Sequence, residues 1–395
     1  MSAPSRHPHE PRWAGVGHSA EADPAVAGAQ AAAAATEGRR PALVLLFASD
    51  AYDLPALLAA VRAQTGHAPL IGCSTAGEIA ARGAADAGLV VVALGGAGFS
   101  VATAAADGSG GRLREAGAQV ARSFEGVEPR PHRALVLLTD GLAGDQQEVV
   151  RGAHAVLGAE VPLVGGCAGD DLKMTATYQF HGDDVLTDAV VGAAVASDAP
   201  VGIGVRHGWR RVGDPVMVTA SADNRVYSLN GLPALDLYLD RLDAPEEVRT
   251  DPDAFTRFAL AHPLGLDRRT GEDQVRFIGD ANFDDRSLGV IAEVPRGALA
   301  WFMEGDADSV LAATDDACHQ ALDGLDGHPP LALIAFDCIA RRGLLGGLGV
   351  ADEVARIAAA AEGAPVAGFY TYGEIARTRG ATGFHNQTLV VLAVA

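Results

Sequence analysis

One short phrase constrains this chain more than any other feature. Gly72-Cys-Ser-Thr-Ala-Gly-Glu-Ile79 returns near the C-terminus as Gly368-Phe-Tyr-Thr-Tyr-Gly-Glu-Ile-Ala376, and a degenerate copy, Gly165-Gly-Cys-Ala-Gly-Asp-Asp171, lies between them. Each copy follows a proline and a short apolar run: Pro69-Leu-Ile-Gly72, Pro162-Leu-Val-Gly165 and Pro365-Val-Ala-Gly368. The match extends upstream, where an apolar run (43–47, 134–139, 331–336) and an Ala/Leu-rich helical stretch (53–64, 145–157, 352–361) precede each copy. Strand, helix, strand and glycine turn in that order read as a βαβ crossover. The expected fold is α/β, with repeated βαβ units forming mixed, mostly parallel sheets that carry helices on their faces. Ligands of such sheets settle beyond the carboxyl ends of the strands, where these turns fall.

A chain of 395 residues exceeds the size at which one core usually stops growing. We therefore expect a loose tail over residues 1–12 and two interlocked parts, 13–222 and 223–395. The first is built on two βαβ units, the second on one unit plus a mixed β region. A formal net charge of −20 argues against nucleic acid and against acidic lipid headgroups as partners. The four cysteines, Cys73, Cys167, Cys318 and Cys338, have no C-x-x-C spacing, which fits reduced thiols in the cytoplasm. No apolar run is long enough to span a bilayer, so no membrane insertion is expected, and the N-terminus lacks a signal peptide's basic and apolar segments.

Local signals place several elements. Asp23 followed by Pro24 caps a helix from Ala25 to Thr36, and Asp145 with Glu148 has the spacing of a capping box. Gly88 to Gly95 reads as a central strand, Thr103 to Gly111 as a Gly/Ala loop, and the charged, proline-punctuated stretch 243–270 as partly irregular.

Five ordered motifs together resemble the FIST proteins, bacterial sensory modules with an N-terminal and a C-terminal part. Leu70-Ile-Gly-Cys-Ser-Thr-Ala-Gly-Glu-Ile79 is similar to the N-terminal signature. His207-Gly-Trp-Arg, Asn230-Gly-Leu-Pro-Ala-Leu-Asp236, Cys338-Ile-Ala-Arg-Arg342 with Gly373-Glu374, and His385-Asn-Gln-Thr388 resemble the C-terminal part. The resemblance covers the chain from about Trp13 onward. It implies a cytoplasmic domain of signal transduction that binds small ligands such as amino acids. With no output segment recognised after the second part, the signal is expected to pass to a separate signalling protein.

The residues support a candidate site on their own chemistry. The two Gly-Glu turns each put a carboxylate, Glu78 or Glu374, just past a strand end, while Gly77 and Gly373 let the backbone approach a ligand and expose N–H groups. Cys73, Ser74, Thr75 and Tyr370 share those turns. Arg341 follows the strand 331–336 and offers a fork for a carboxylate, so that Arg341 with the two glutamates describes a zwitterion site. His385 and Asn386 add neutral hydrogen bonds. Two plainer readings stand beside this one: glycines that only supply positive φ, and an Arg341–Glu374 ion pair with no ligand. An enzymatic alternative, a hydrolase or transferase using Cys73 or Ser74 as nucleophile, lacks the G-x-S-x-G spacing and an evident base. A plain interaction scaffold is a third. The histidines and cysteines lack zinc spacing, so neither metal nor cofactor is expected.

Overall fold

The computed structural model describes residues 10–80, 83–85, 87–108, 111–267, 273–378 and 383–395. Most of the expected tail lies outside them. The chain opens with β1 (Trp13–Ser19), α1 (Pro24–Thr36), β2 (Pro41–Ala48), α2 (Leu54–Thr65) and β3 (Leu70–Ser74). It then makes a short hairpin, β4 (Glu78–Ala80) and β5 (Gly83–Ala85), and returns as β6 (Leu89–Gly95). Next come β7 (Phe99–Asp107), α3 (Leu113–Ala121), β8 (His132–Thr139), α4 (Gln147–Leu157), β9 (Leu163–Cys167), β10 (Gln179–His181), β11 (Asp184–Leu186) and β12 (Ala189–Ser197). After β13 (Val201–Arg206) a mainly β segment intervenes: β14 (Arg210–Ala222), β15 (Arg225–Leu229), β16 (Leu232–Pro233), α5 (Ala234–Arg241), α6 (Pro252–Ala261), β17 (Leu264–Leu266), β18 (Gln274–Arg276), β19 (Ile278–Asn282), β20 (Ser287–Val290) and β21 (Leu299–Glu304). The chain closes with α7 (Ala307–Asp323), β22 (Ala332–Cys338), α8 (Ile339–Ala360), β23 (Val366–Thr371), β24 (Glu374–Arg377), β25 (Phe384–His385) and β26 (Leu389–Val394).

Capping explains where several helices begin. Asp23 accepts a hydrogen bond from Val26 N–H, Asp53 from Ala56 N–H and Asp251 from Asp253 N–H, each with a proline in the first turn. The capping box read at Asp145 and Glu148 does not form: Asp145 accepts from Gln147 N–H, and Glu148 instead pairs with Arg151 and Arg114. Two stretches are more regular than their composition suggests. Residues 103–107 belong to β7, whose Ala104 and Ala106 are small because α3 packs over them, and α6 occupies part of the stretch read as irregular.

Three six-stranded sheets share one order of connections: β1-β6-β2-β3-β10-β11, β7-β12-β8-β9-β24-β25 and β13-β26-β22-β23-β4-β5. In each, one pair is parallel with a helix between its strands: β2 with β3, β8 with β9, and β22 with β23. The other ladders described are antiparallel, so the sheets are mixed but not mostly parallel. The reason is topological. Each parallel pair gains a returning strand on one side and a short hairpin on the other, and both arrive antiparallel.

The hairpins come from elsewhere in the chain. After β3 the chain crosses to pair β4 with β23; after β23 it crosses to pair β24 with β9; after β9 it crosses to pair β10 with β3. Helices do not cover both faces of these sheets. Their inner faces meet in one core containing Phe47, Phe336 and Phe369, whose rings lie 4.7–6.3 Å apart, together with Leu138, Val164, Val191 and Leu392. Helix pairs α1/α2, α3/α4 and α7/α8 cover the outer faces. The intervening segment has its own core around Tyr238, Phe255 and Phe302. No helix of the described residues is long and apolar enough to cross a membrane.

Candidate functional site

The first glycine of each turn is there because nothing larger fits. A Cβ on Gly72 would lie 2.2 Å from Leu46 O, on Gly165 1.9 Å from Leu137 O, and on Gly368 2.1 Å from Ala335 O. The later glycines differ in their reasons. Gly77 has φ 113°, whereas a Cβ on Gly373 would meet the Phe384 ring at 2.5 Å.

Backbone hydrogen bonds tie the three turns into a closed ring. Ala76 N–H donates to Tyr370 O and Tyr370 N–H to Gly77 O; Cys167 N–H donates to Gly373 O and Tyr372 N–H to Cys167 O; Gly169 N–H donates to Ser74 O and Ser74 N–H to Tyr178 O, all at 2.8–3.2 Å. Turns far apart in sequence are therefore neighbours at one end of the parallel strands. Matching bonds mark equivalent positions, since Ser49 N–H donates to Gly88 O, Asp140 N–H to Ala189 O and Cys338 N–H to Thr388 O.

Each carboxylate is held by a threonine three residues before it. Thr75 Oγ1 donates to Glu78 Oε1 at 2.5 Å, and Thr371 Oγ1 to Glu374 Oε1 at 2.5 Å. The second oxygens differ. Glu374 Oε2 accepts from Thr388 Oγ1 at 2.7 Å and Thr388 N–H at 3.1 Å, while Glu78 Oε2 has no hydrogen-bond partner among the described residues. Both side chains are buried, and burial raises their pKa, Glu78 to about 8 and Glu374 to about 7. At the equivalent place between β10 and β3 stands Gln179, paired in register with Cys73 as Glu78 is with Phe369. Its Oε1 accepts from Ala189 N–H at 3.1 Å.

The remaining residues singled out in the sequence fall into distinct settings. Cys73 is fully buried, and burial pushes its thiol well up. Ser74 donates to Gly169 O at 2.8 Å and accepts from Tyr178 N–H, so its proton is committed to a carbonyl. His385 is the register partner of Glu374 and bonds Ala376 O, and Asn386 lies buried beside Gly373. Tyr370 is buried with its hydroxyl unbonded and Arg342 over its ring.

Arg341 matches neither arrangement read from the sequence. Fully buried, it donates to Asp337 Oδ1 (2.7 Å), Glu353 Oε1 (2.6 Å), Thr314 Oγ1 (2.9 Å) and the carbonyls of His207 and Val310. Its fork is spent on protein groups, and Glu374 is not among them. Burial and the neighbouring Glu353 charge push the Asp337 carboxyl well above the usual carboxylate range.

Sequence reasoning passed over three participants. Gln179 left no signal, because its role arises from the hairpin exchange alone. Arg342 stood in a motif already quoted; it donates to Ala76 O, lies 3.7 Å from Asp171 and favours the ionised form of Glu78. Asp170 organises the loop after the middle turn, accepting from the backbone N–H groups of Met174, Thr175 and Ala176 and from Tyr372 OH. Those bonds hold Asp171, Leu172 and Met174 at φ 54°, 62° and 53°, strain of a kind that gathers at functional sites. Among the described residues no group of three or more His, Cys, Asp or Glu side chains is placed to hold a metal ion.

Comparison with known proteins follows the same span. The family model described as FIST N domain matches residues 42–232, and that described as FIST C domain matches residues 234–377. An uncharacterized protein of Mycobacterium tuberculosis is 28% identical over 387 residues, covering 95% of this chain and 97% of the relative. Another, from Methanocaldococcus jannaschii, is 26% identical over 178 residues, 42% of this chain and 34% of the relative. A solved cyanuric acid hydrolase from A. caulinodans aligns over 97% of this chain and 99% of its own at 10% identity and a TM-score of 0.36, a likeness too slight to carry an argument.

Proposed function

The chain belongs to the FIST family, whose domains are sensory domains of signal transduction, and from that premise we propose that it binds a small ligand, such as an amino acid, at the ring of glycine turns and signals through a separate protein. The observation that carries this reading is Glu78 Oε2, a buried acceptor with no partner among the described residues, at the strand end where Arg342 also stands. A buried polar atom left unbonded costs about 1–3 kcal/mol, which a ligand's donor would recover. Arg342, not Arg341, is then the cation nearest the ligand's acidic end.

The three strand-helix-strand units are read as copies of one arrangement, and the two parts as interlocked through β4 and β24. Four buried thiols without a disulfide favour a reducing, cytoplasmic setting. No observation favours the nucleophile alternative, since Ser74 donates to a carbonyl and Cys73 is held as a thiol.

Native mass spectrometry of the purified protein, joined to a thermal-shift screen of amino acids and small organic acids, tests the reading. A retained small molecule, or a shift abolished by Glu78→Gln, supports it. A bare protein with no shift across the screen sinks it.

A further inference from the structure

The three equivalent positions around the ring differ in one respect that points to a ligand's chemistry. Where Thr388 supplies both an N–H and a hydroxyl to Glu374, and Ala189 an N–H to the neutral Gln179, the equivalent residue facing Glu78 is Gly88, which has no side chain. Gly88 N–H favours the ionised carboxylate without completing a hydrogen bond to Oε2. One copy of the site is thus filled by the protein itself, one has lost its charge, and one is left with a buried acceptor.

The charges at that end decide what fits. Lys173 is taken by Asp50 at 2.7 Å, and Arg342 is shared between Asp171 and Ala76 O. Asp170 accepts from N–H and hydroxyl donors and Glu78 Oε1 from Thr75, and neither carboxyl group is in an ion pair with a cation of the described residues. Among the described residues, the charged and titratable groups facing Glu78 are Arg342 from α8 and Tyr52 from the loop after β2. An incoming group has to donate to Oε2, and one that also brings positive charge is attracted by the carboxyl groups of Glu78 and Asp170.

Resting on the ligand-binding reading above, we propose that Glu78, the one of the three equivalent side chains whose facing residue leaves an acceptor unfilled, receives an aliphatic ammonium group in the place that the Thr388 hydroxyl occupies beside Glu374. Binding converts a carboxylic acid and an ammonium into a carboxylate–ammonium pair, and the carboxyl proton leaves to solvent.

The experiment is isothermal titration with n-butylamine, glycine, glycerol and acetate as probes, each in two buffers of different ionisation enthalpy. With Glu78 titrating at about 8, an ammonium probe at pH 7 should release protons on binding, up to about one per molecule bound. Glycerol should release none. Glu78→Gln should weaken ammonium binding roughly tenfold or more and abolish the release. Gly88→Thr, which supplies the missing hydroxyl, should block the site; if that variant does not fold, Glu78→Gln alone decides. Binding of glycerol or acetate through Glu78 with none by the amines overturns the ammonium assignment and leaves the ligand-binding reading standing. Amine binding that persists with proton release in Glu78→Gln overturns the site. No binding by any probe, with a bare protein in native mass spectrometry, overturns both.

Discussion

Arg341 and Glu353 meet at 2.6 Å across a break in α8, where Gly346 adopts φ 60° and ψ −179°. Both side chains are closed to solvent, so one ion pair joins the short first segment of the helix to its long remainder, and Asp337 on β22 completes the clamp.

Breaking that clamp should therefore destabilise the unliganded protein. Removing one partner of a buried pair typically costs about 3–5 kcal/mol. Arg341→Ala should lower Tm markedly in thermal denaturation without ligand, and Arg341→Lys, which cannot bridge both acids in the same fork, should recover only part of the loss. A variant as stable as the wild type would show the pair to be dispensable.

The four cysteines should be silent toward thiol reagents in the native protein. All are buried, and burial raises the Cys73 thiol well above its ordinary value and Cys167 to about 12. Timed labelling should find no fast-reacting thiol under native conditions and four in denaturant. Rapid native modification of Cys73 would revive the nucleophile reading.

Stability should fall as pH rises through neutrality. Glu78 and Glu374 titrate at about 8 and about 7 in the folded protein, above the ordinary 4.5. The native state thus holds protons that the unfolded chain has lost, and the contribution is complete below about pH 4.5 and gone above about pH 8. His207, depressed to about 4, works the other way below its ordinary 6.5, and above that the Asp337 carboxyl, raised by burial, adds to the slope of the two glutamates, so the comparison with a Glu78 variant is what separates Glu78. Each fully protonated carboxyl there contributes a slope of about 1.4 kcal/mol per pH unit. Urea denaturation should show Glu78→Gln with a visibly flatter profile than wild type; parallel profiles would mean that Glu78 is already ionised.

The repeated glycines should tolerate nothing larger. Gly368→Ala places a Cβ 2.1 Å from a strand carbonyl, so the strand pair itself must shift. It should destabilise by more than about 3 kcal/mol or abolish folding. Gly126→Ala, whose Cβ would meet only Ala102 Cβ at 3.5 Å, should stay within about 0.5 kcal/mol of wild type. Circular dichroism melts of the two variants make the comparison.

What could be read from the sequence was what short stretches of chain decide. The order of strand, helix, strand and glycine turn was legible three times over because apolar runs, helical periodicity and caps such as Asp23 and Asp53 act within a few residues. The burial of Cys73 followed from its place in an apolar strand. The i,i+4 spacing of Asp337 and Arg341 was also there to be seen, and it names a pair that was passed over. The sequence could not disclose that the hairpin after each turn is exchanged into the next sheet, since β4 and β23 lie some three hundred residues apart and nothing local specifies their pairing. That exchange put Gln179 in the place of a glutamate, gave Glu374 the Thr388 hydroxyl and left Glu78 facing a glycine. It also placed antiparallel strands beside each parallel pair, and the meeting of the three inner faces left helices on the outer faces alone. A local pattern says which residues seek burial; only the closure of the three sheets on one another determined which buried groups would meet.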